Sequence, residues 1–333
     1  MQEITREALA ERACALIADG KVDRVLGWRA GEFDYDAIPA TFLSADELRS
    51  EFIWNDFCGA NLSKYLIKAT AKTESRVLVF LKPCDTYSFN QLLTEHRFDR
   101  EKVYAIGVPC EGMLDVSKVR GIADGISKVS EVSDNGKEVV VETLYDGTVT
   151  APRGEMLPDR CKNCKSKKHV AFDELLGTDG KVLENHRFDE VEALEKMTPD
   201  ERFAFWQGEL SRCIRCNACR DVCPACTCEK CVFDNPESGV ANKAAANSFE
   251  EKMFHIIRAF HVAGRCTDCG ECSRVCPQHI PLHLLNRKFI KDIDTFYGEY
   301  QAGSEVGSRA PTVDFTKDDI EPARAVERSG ENA

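Results

Sequence analysis

Two copies of one cysteine pattern constrain this chain more than any other feature of its sequence. Residues 213–224 read C-I-R-C-N-A-C-R-D-V-C-P and residues 266–277 read C-T-D-C-G-E-C-S-R-V-C-P, both fitting C-x2-C-x2-C-x3-C-P. Thiolate is the soft ligand that iron-sulfur cores require, and three cysteines at this spacing let one tight loop wrap three irons of a cube. The fourth, followed by proline, leaves the loop pointing away. Structural zinc takes its four ligands in two pairs rather than in a 2-2-3 rhythm, so each run predicts a 4Fe-4S cluster.

In two-cluster ferredoxins the fourth thiolate of each run serves the other cluster. The same scheme predicts one cluster on Cys213, Cys216, Cys219 and Cys276, and a second on Cys266, Cys269, Cys272 and Cys223. At 333 residues the chain has room for a larger domain beside the one holding these runs. Seventeen cysteines would read as disulfides in a secreted protein. The opening MQEITREALAERACALIADG, however, has no charged region followed by an apolar one, and no run approaches the length of a membrane span. A reducing, cytoplasmic compartment and metal-ligating thiols are therefore expected. A net charge of −12 argues against a nucleic-acid surface and for solubility or docking on a basic partner.

The first half reads as α/β. Ile4, Leu9, Leu16 and Ile17 mark an amphipathic helix stopped at Gly20, in which Cys14 is read as a small buried hydrophobe. Ser44 and Glu47 make a capping box before a second helix. Arg76–Lys82 is a continuous apolar run ending in Pro83-Cys84-Asp85, and Lys102–Val108 is another ending in Pro109-Cys110-Glu111. With Tyr87–His96 helical between them, the two runs predict parallel strands of a βαβ unit. Cys84 and Cys110 then project from one rim, where open α/β sheets collect their ligands. Residues 126–150 read as a small β excursion with turns at Asn135-Gly136 and Asp146-Gly147. Its exit leads to Cys161 and Cys164, which with Cys84 and Cys110 complete a four-thiolate set suited to a third 4Fe-4S cluster or to structural zinc. Lys162, Lys165, Lys167 and Lys168 would offset such an anionic centre. Cys58 in F-C-G-A is a reserve ligand.

Phe80–Asp85, the I-G-V-P-C segment ending at Cys110, and Cys161-x2-Cys164 followed by Asp173 and Gly177 resemble the β-subunit family of coenzyme F420-reducing hydrogenases and formate dehydrogenases. In that family a G-T-P-C-like turn precedes a C-x2-C element followed by roughly A-D-I-x2-G. This chain departs from it at Val108, in place of the threonine, and at Ser166, in place of an aspartate. The resemblance spans roughly residues 50–180 and implies a cluster-bearing α/β domain, in many members with bound flavin adenine dinucleotide (FAD), that exchanges electrons with a deazaflavin or another flavin. No G-x-G-x-x-G follows any strand here, so FAD rests on the resemblance.

The second half reads as helical. Residues 184–197 are expected to be a linker. Thr198, Pro199 and Glu201 open a helix into the first run, Ser248 and Glu251 cap one into the second, and Leu285, Phe289, Ile293 and Phe296 mark another after it. The 42 residues between Cys223 and Cys266 resemble the α-helical ferredoxin arrangement of succinate dehydrogenase and heterodisulfide reductase subunits more than a compact ferredoxin. The expected organisation is an α/β domain over 1–183, the linker, a helical dicluster domain over 198–301 and a polar tail over 302–333 that orders on a partner. Cys226, Cys228 and Cys231 are left without an evident fourth partner: they suit a further cluster with Cys58 or a partner's thiolate, a zinc ion, or substitution into the rim set.

These features predict an iron-sulfur electron-transfer subunit of a hydrogenase, formate dehydrogenase or heterodisulfide-reductase type complex, connecting two-electron hydride chemistry to one-electron carriers. Arg212, Arg215, Arg220, Arg265 and Arg274 crowd the cysteine runs, as tuning or docking charges or simply as solvated ones. Two alternatives differ in class: a flavin-dependent dehydrogenase acting itself on reduced F420 or NAD(P)H, and a metal-stabilised adaptor without redox chemistry.

Overall fold

The structure, a computed structural model, describes residues 4–33, 35–122, 129–145, 147–183, 186–235, 237 and 248–313. Its larger sheet contains β1 (Arg24–Ala30), β2 (Ala37–Phe42), β3 (Phe52–Ile53), β4 (Val77–Leu81), β5 (Val103–Gly107) and β9 (Glu174–Leu175). The order is β2-β1-β4-β5-β9, with β3 beside β1; β1, β4, β5 and β9 run parallel, while β2 and β3 are antiparallel to β1. All five side chains of β4 are buried, as a strand covered on both faces requires, and each contributes on the order of 2 kcal/mol of hydrophobic stabilisation. The parallel register aligns Leu81 with Gly107, so the two following turns leave the sheet side by side.

The helix after β4 begins at Pro83 rather than at Tyr87. Proline suits a first helical turn, where its missing N–H leaves no bond unmade, and the Asp85 carboxylate accepts from the Lys82 N–H at 3.3 Å. Cys84 therefore sits in a helical first turn rather than in a loop. β6 (Val129–Asp134), β7 (Glu138–Thr143) and β8 (Thr148–Pro152) form a separate antiparallel sheet, the excursion read from the turn signals.

Residues expected to be a linker contain the helix Asp189–Lys196, whose buried Val191 and Leu194 pack with Leu284. The helix Pro199–Ser211 has Thr198 as cap and Glu201 closing the box. The helices Ser248–Val262 and Leu282–Tyr297 flank the second cysteine run. The side chains of Ser248 and Glu251, read as a capping pair, lie outside the described residues.

Part of the expected tail is integral to the fold. Ala302 and Ala310 are buried, and the Gly307 N–H donates to Thr94 Oγ1 at 2.8 Å. Gly303 passes so close to helix Pro83–Thr94 that a Cβ would lie 1.9 Å from the Tyr87 carbonyl oxygen. Residues 314–333 lie outside the described set. Among the described residues no helix is long and apolar enough to cross a membrane.

Candidate metal centres

Cys84, Cys110, Cys161 and Cys164 line a single cavity at the C-terminal rim of the parallel sheet. Cys84 and Cys110 arrive from the turns after β4 and β5. Cys161 lies in the short helix Asp159–Lys162, with Cys164 just beyond it. His169 clamps the two turns: its Nε2 lies 3.2 Å from the carbonyl oxygens of both Leu81 and Val108, and its Nδ1 lies 2.7 Å from Asp179. Asp173 accepts from the Ala105 N–H at 2.7 Å and from Arg100 at 2.8 Å, which seats β9 on β5. Gly177, at φ +95°, packs on Pro109. The acid and glycine singled out in the sequence thus hold the rim from behind.

Charge around the rim is unevenly deployed. Lys165 and Lys167 line the cavity, whereas Lys162 and Lys168 are exposed. Lys167 Nζ donates to the Cys110 carbonyl at 2.6 Å, and Lys165 Nζ lies 4.0 Å from the centre of the Tyr87 ring. Beneath them, the buried Lys82 ammonium pairs with Asp85 at 2.8 Å, donates to the Ala60 carbonyl at 2.9 Å and lies over Trp28. Burial alone would lower the Lys82 pKa, but Asp85 and the neighbouring thiols raise it.

The two cysteine runs are near-copies in backbone as well as sequence. Arg215 and Asp268 take φ of +56° and +55°, and Asn217 and Gly270 take +63° and +66°, just before and after the second cysteine of each run. Such left-handed positions turn each loop tightly enough to bring its thiols to one side. Cys213, Cys216, Cys219 and Cys276 line one cavity, three from the first run and the fourth from the second. Cys223 lies within electrostatic reach of Cys266, Cys269 and Cys272.

The three thiol sets adjoin one another. Cys269 and Asp268 also line the rim cavity, and Cys272 packs with Cys219 in one buried cluster. Arg160 fastens the first junction, donating to the carbonyls of Cys269 at 3.0 Å and Gly59 at 2.8 Å and pairing with Glu271. Glu271 is fully buried, yet Arg274 and Arg160 overcome the burial and hold its carboxyl down to about 2. Ser88 and Thr267 hydroxyls meet at 2.8 Å, and Asn61 bonds to Ser88 and, through its N–H, to Glu271. The second cysteine run is thereby docked on the rim by a buried polar network.

Cys226, Cys228 and Cys231 line a different groove, of about 370 Å³, with Lys64, Lys68, Arg220 and Arg265. They are not part of the rim cavity, and Cys58 is not with them. Cys58 is buried in the α/β core, its Sγ 3.5 Å from Asn55 Oδ1, and burial pushes its thiol up to about 12. A reserve ligand at Cys58 is therefore replaced by a core residue closing its own loop. The Cys226 thiol donates to Cys223, which lowers the pKa of Cys223 and raises its own.

The donor sets suit iron-sulfur clusters. Each is all-thiol, and no disulfide forms among the described residues. Burial pushes Cys110 and Cys219 up to about 11 and Cys269 and Cys272 up to about 12, so the thiolate form calls for a strongly positive partner. His255 Nδ1 and Arg258 Nε, buried beside the thiols, have no hydrogen-bond partner among the described residues. Sequence reasoning passed over Arg160, His169, His255, Arg258 and Glu271; Arg160 stands beside Cys161 and Glu271 beside Cys272, while His169, His255 and Arg258 stand in no position that the cysteine spacing marks.

The 4Fe-4S dicluster domain family matches residues 209–280. The β subunit of F420-dependent formate dehydrogenase from Methanocaldococcus jannaschii is 26% identical over 333 aligned positions, covering 82% of this chain and 86% of that protein. The β subunit of F420-dependent formate dehydrogenase 1 from Methanococcus maripaludis is 25% identical over 365 positions, covering 89% and 92%. A chain of the F420-reducing NiFe hydrogenase complex from Methanosarcina barkeri aligns with 62% of this chain and 86% of its own, at a TM-score of 0.38 and 12% identity, too distant to carry a structural argument.

Proposed function

We propose that this chain, a relative of the F420-dependent formate dehydrogenase β subunits that carries a 4Fe-4S dicluster domain, relays electrons through three adjoining thiolate sites within an oxidoreductase complex. The rim set of Cys84, Cys110, Cys161 and Cys164 is one end of the relay. The set of Cys266, Cys269, Cys272 and Cys223 is the middle, and the set of Cys213, Cys216, Cys219 and Cys276 is the other end. One observation carries the reading: Cys269, a member of the middle set, lines the rim cavity itself, so the two halves of the chain meet at sulfur.

Bound 4Fe-4S clusters supply one-electron steps. The chain's own residues do the rest. The cross-paired runs hold the middle and far sets in one rigid unit, His169 fixes the two rim turns, and the Arg160–Glu271 pair holds rim and middle set in register. Burial of Cys219, Cys223 and Cys272 keeps water from those sulfurs and so helps to set the potentials, while Cys216 of the far set is exposed.

The relatives' names attach F420 to their reactions, and a deazaflavin hydride donor in this chain or a partner subunit is the proposed source or sink of electrons. FAD is carried only by the resemblance.

Anaerobic iron and acid-labile sulfide analysis of the purified chain, with flavin extraction, tests the reading. About twelve irons with matching sulfide are expected, and about eight would remove the rim cluster. Zinc with about four irons or fewer would overturn the relay in favour of an adaptor. Flavin released on heating would favour the chain itself as the hydride-handling dehydrogenase.

A further inference from the structure

The helix Ser248–Val262 leads into the second cysteine run and carries a charge that belongs to neither run. Arg258 is 3% exposed. Its Nη2 donates to the Cys219 carbonyl at 2.9 Å, while its Nε has no hydrogen-bond partner and the guanidinium makes no salt bridge to a carboxylate among the described residues. Its anionic neighbours are sulfurs: Cys223 and Cys272 of the middle set, Cys219 of the far set, and Cys226.

A guanidinium stays charged in any protein environment, and a buried cation is costly unless an anion compensates it. Arg160 has that compensation from Glu271. Arg258 does not have it from any carboxylate among the described residues, so the negative charge that balances it has to reside on the sulfurs around it, those of the middle and far sites together with Cys226.

We infer that Arg258 is a shared counter-charge for the middle and far sites, raising both reduction potentials together. The inference rests on the cluster reading of those two sites. Reduction adds one negative charge to a site, and a fixed cation stabilises the more negative state. A cation with sulfurs of two sites around it acts on both. It is a positioning charge rather than a ligand, and because it acts on both sites it shifts their potentials in the same direction.

The test compares the full-length wild-type chain with R258Q, R258M and R258K by anaerobic redox titration followed by electron paramagnetic resonance, with iron and sulfide measured on each preparation. The expected result is that R258Q and R258M retain wild-type iron while the midpoints of both dicluster signals shift to more negative values, the rim signal moving less. R258K, which keeps the charge, holds both midpoints near those of the wild type. Unchanged midpoints in iron-replete R258Q or R258M, a shift confined to one signal, or an R258K shift as large as that of the neutral variants overturns the proposal. So does loss of iron from both neutral variants while R258K stays loaded, since Arg258 then serves assembly instead. A wild-type chain with no pair of dicluster signals is a different result: the cluster reading itself fails before any variant is compared.

Discussion

His255 Nε2 lies 3.3 Å from the sulfur of Cys213. Burial first, then Arg258 and Arg215, hold the imidazole down to about 3, so the ring is neutral at ordinary pH and carries one proton. A proton on Nε2 donates to the sulfur and favours the more negative, reduced state of the site. His255→Leu is therefore expected to lower the potential of the far site alone. The loss is about 1 kcal/mol of preference for the reduced form, or on the order of 40 mV for a one-electron couple. Redox titration of the two dicluster signals checks this, and equal movement of both would assign the effect to general burial instead of to this bond.

Cross-pairing of the runs makes a sharper statement about iron. Cys213 and Cys276 line one cavity although 63 positions apart in sequence, and Cys223 faces the opposite run. Cys213→Ser and Cys276→Ser are expected to abolish the same spectroscopic signal, and Cys223→Ser the other. Each substitution costs up to about four irons. If Cys213→Ser and Cys276→Ser removed different signals, each run would hold its own cluster.

The motif spacing was legible because it is local: three thiols on one tight turn need only the residues between them. The rim was legible for a related reason, since two buried strands that each end in Pro-Cys must present both cysteines at one edge if they run parallel. Arg258 and His169 were not legible. Arg258 lies 39 positions from the Cys219 carbonyl it bonds, and His169 lies 88 positions from the Leu81 carbonyl, so only tertiary structure brings the partners together. Cys58 illustrates the converse limit. In sequence it looks as available as Cys226, and burial in the α/β core is what separates them. The helix Asp189–Lys196 was read as linker because its two buried residues, Val191 and Leu194, make too weak a period to stand out among acidic neighbours.

Glu95 joins the two halves of the chain by accepting from Arg265 Nε and Nη2 at 2.8 and 2.7 Å and from Thr227 Oγ1 at 3.1 Å. Burial opposes ionisation, but these donors and Gln91 leave its pKa below the usual 4.5. A carboxylate depressed in the folded state contributes stability that is complete above its unfolded pKa and is lost as pH falls through its folded one. Glu95→Gln is expected to destabilise the chain by about 2 kcal/mol near pH 7. The gap between variant and wild type should narrow steadily below about pH 4.5. Anaerobic denaturant titrations of both proteins across that range measure it, and a gap independent of pH would mean that the charge of Glu95 contributes nothing.

The clamp at the rim gives the most direct test of the site that the cysteine spacing alone left open. His169 is 3% exposed and its Nε2 faces two carbonyl oxygens, those of Leu81 and Val108, one from each strand end that leads to a rim cysteine. Its Nδ1 faces Asp179, which also accepts from the His169 N–H at 3.1 Å. His169→Ala removes the single Nε2–H that faces the two carbonyls and opens a void between the strand ends. The Leu81 carbonyl keeps the Val108 N–H at 2.9 Å, whereas the Val108 carbonyl loses its His169 donor at a cost of about 1–3 kcal/mol, and the two turns lose a common tether. The rim set should then load iron poorly: a loss of up to about four irons per chain, with both dicluster signals retained at unchanged potentials. Full iron content in a stably folded His169→Ala chain would show that the turns are held by the strands alone.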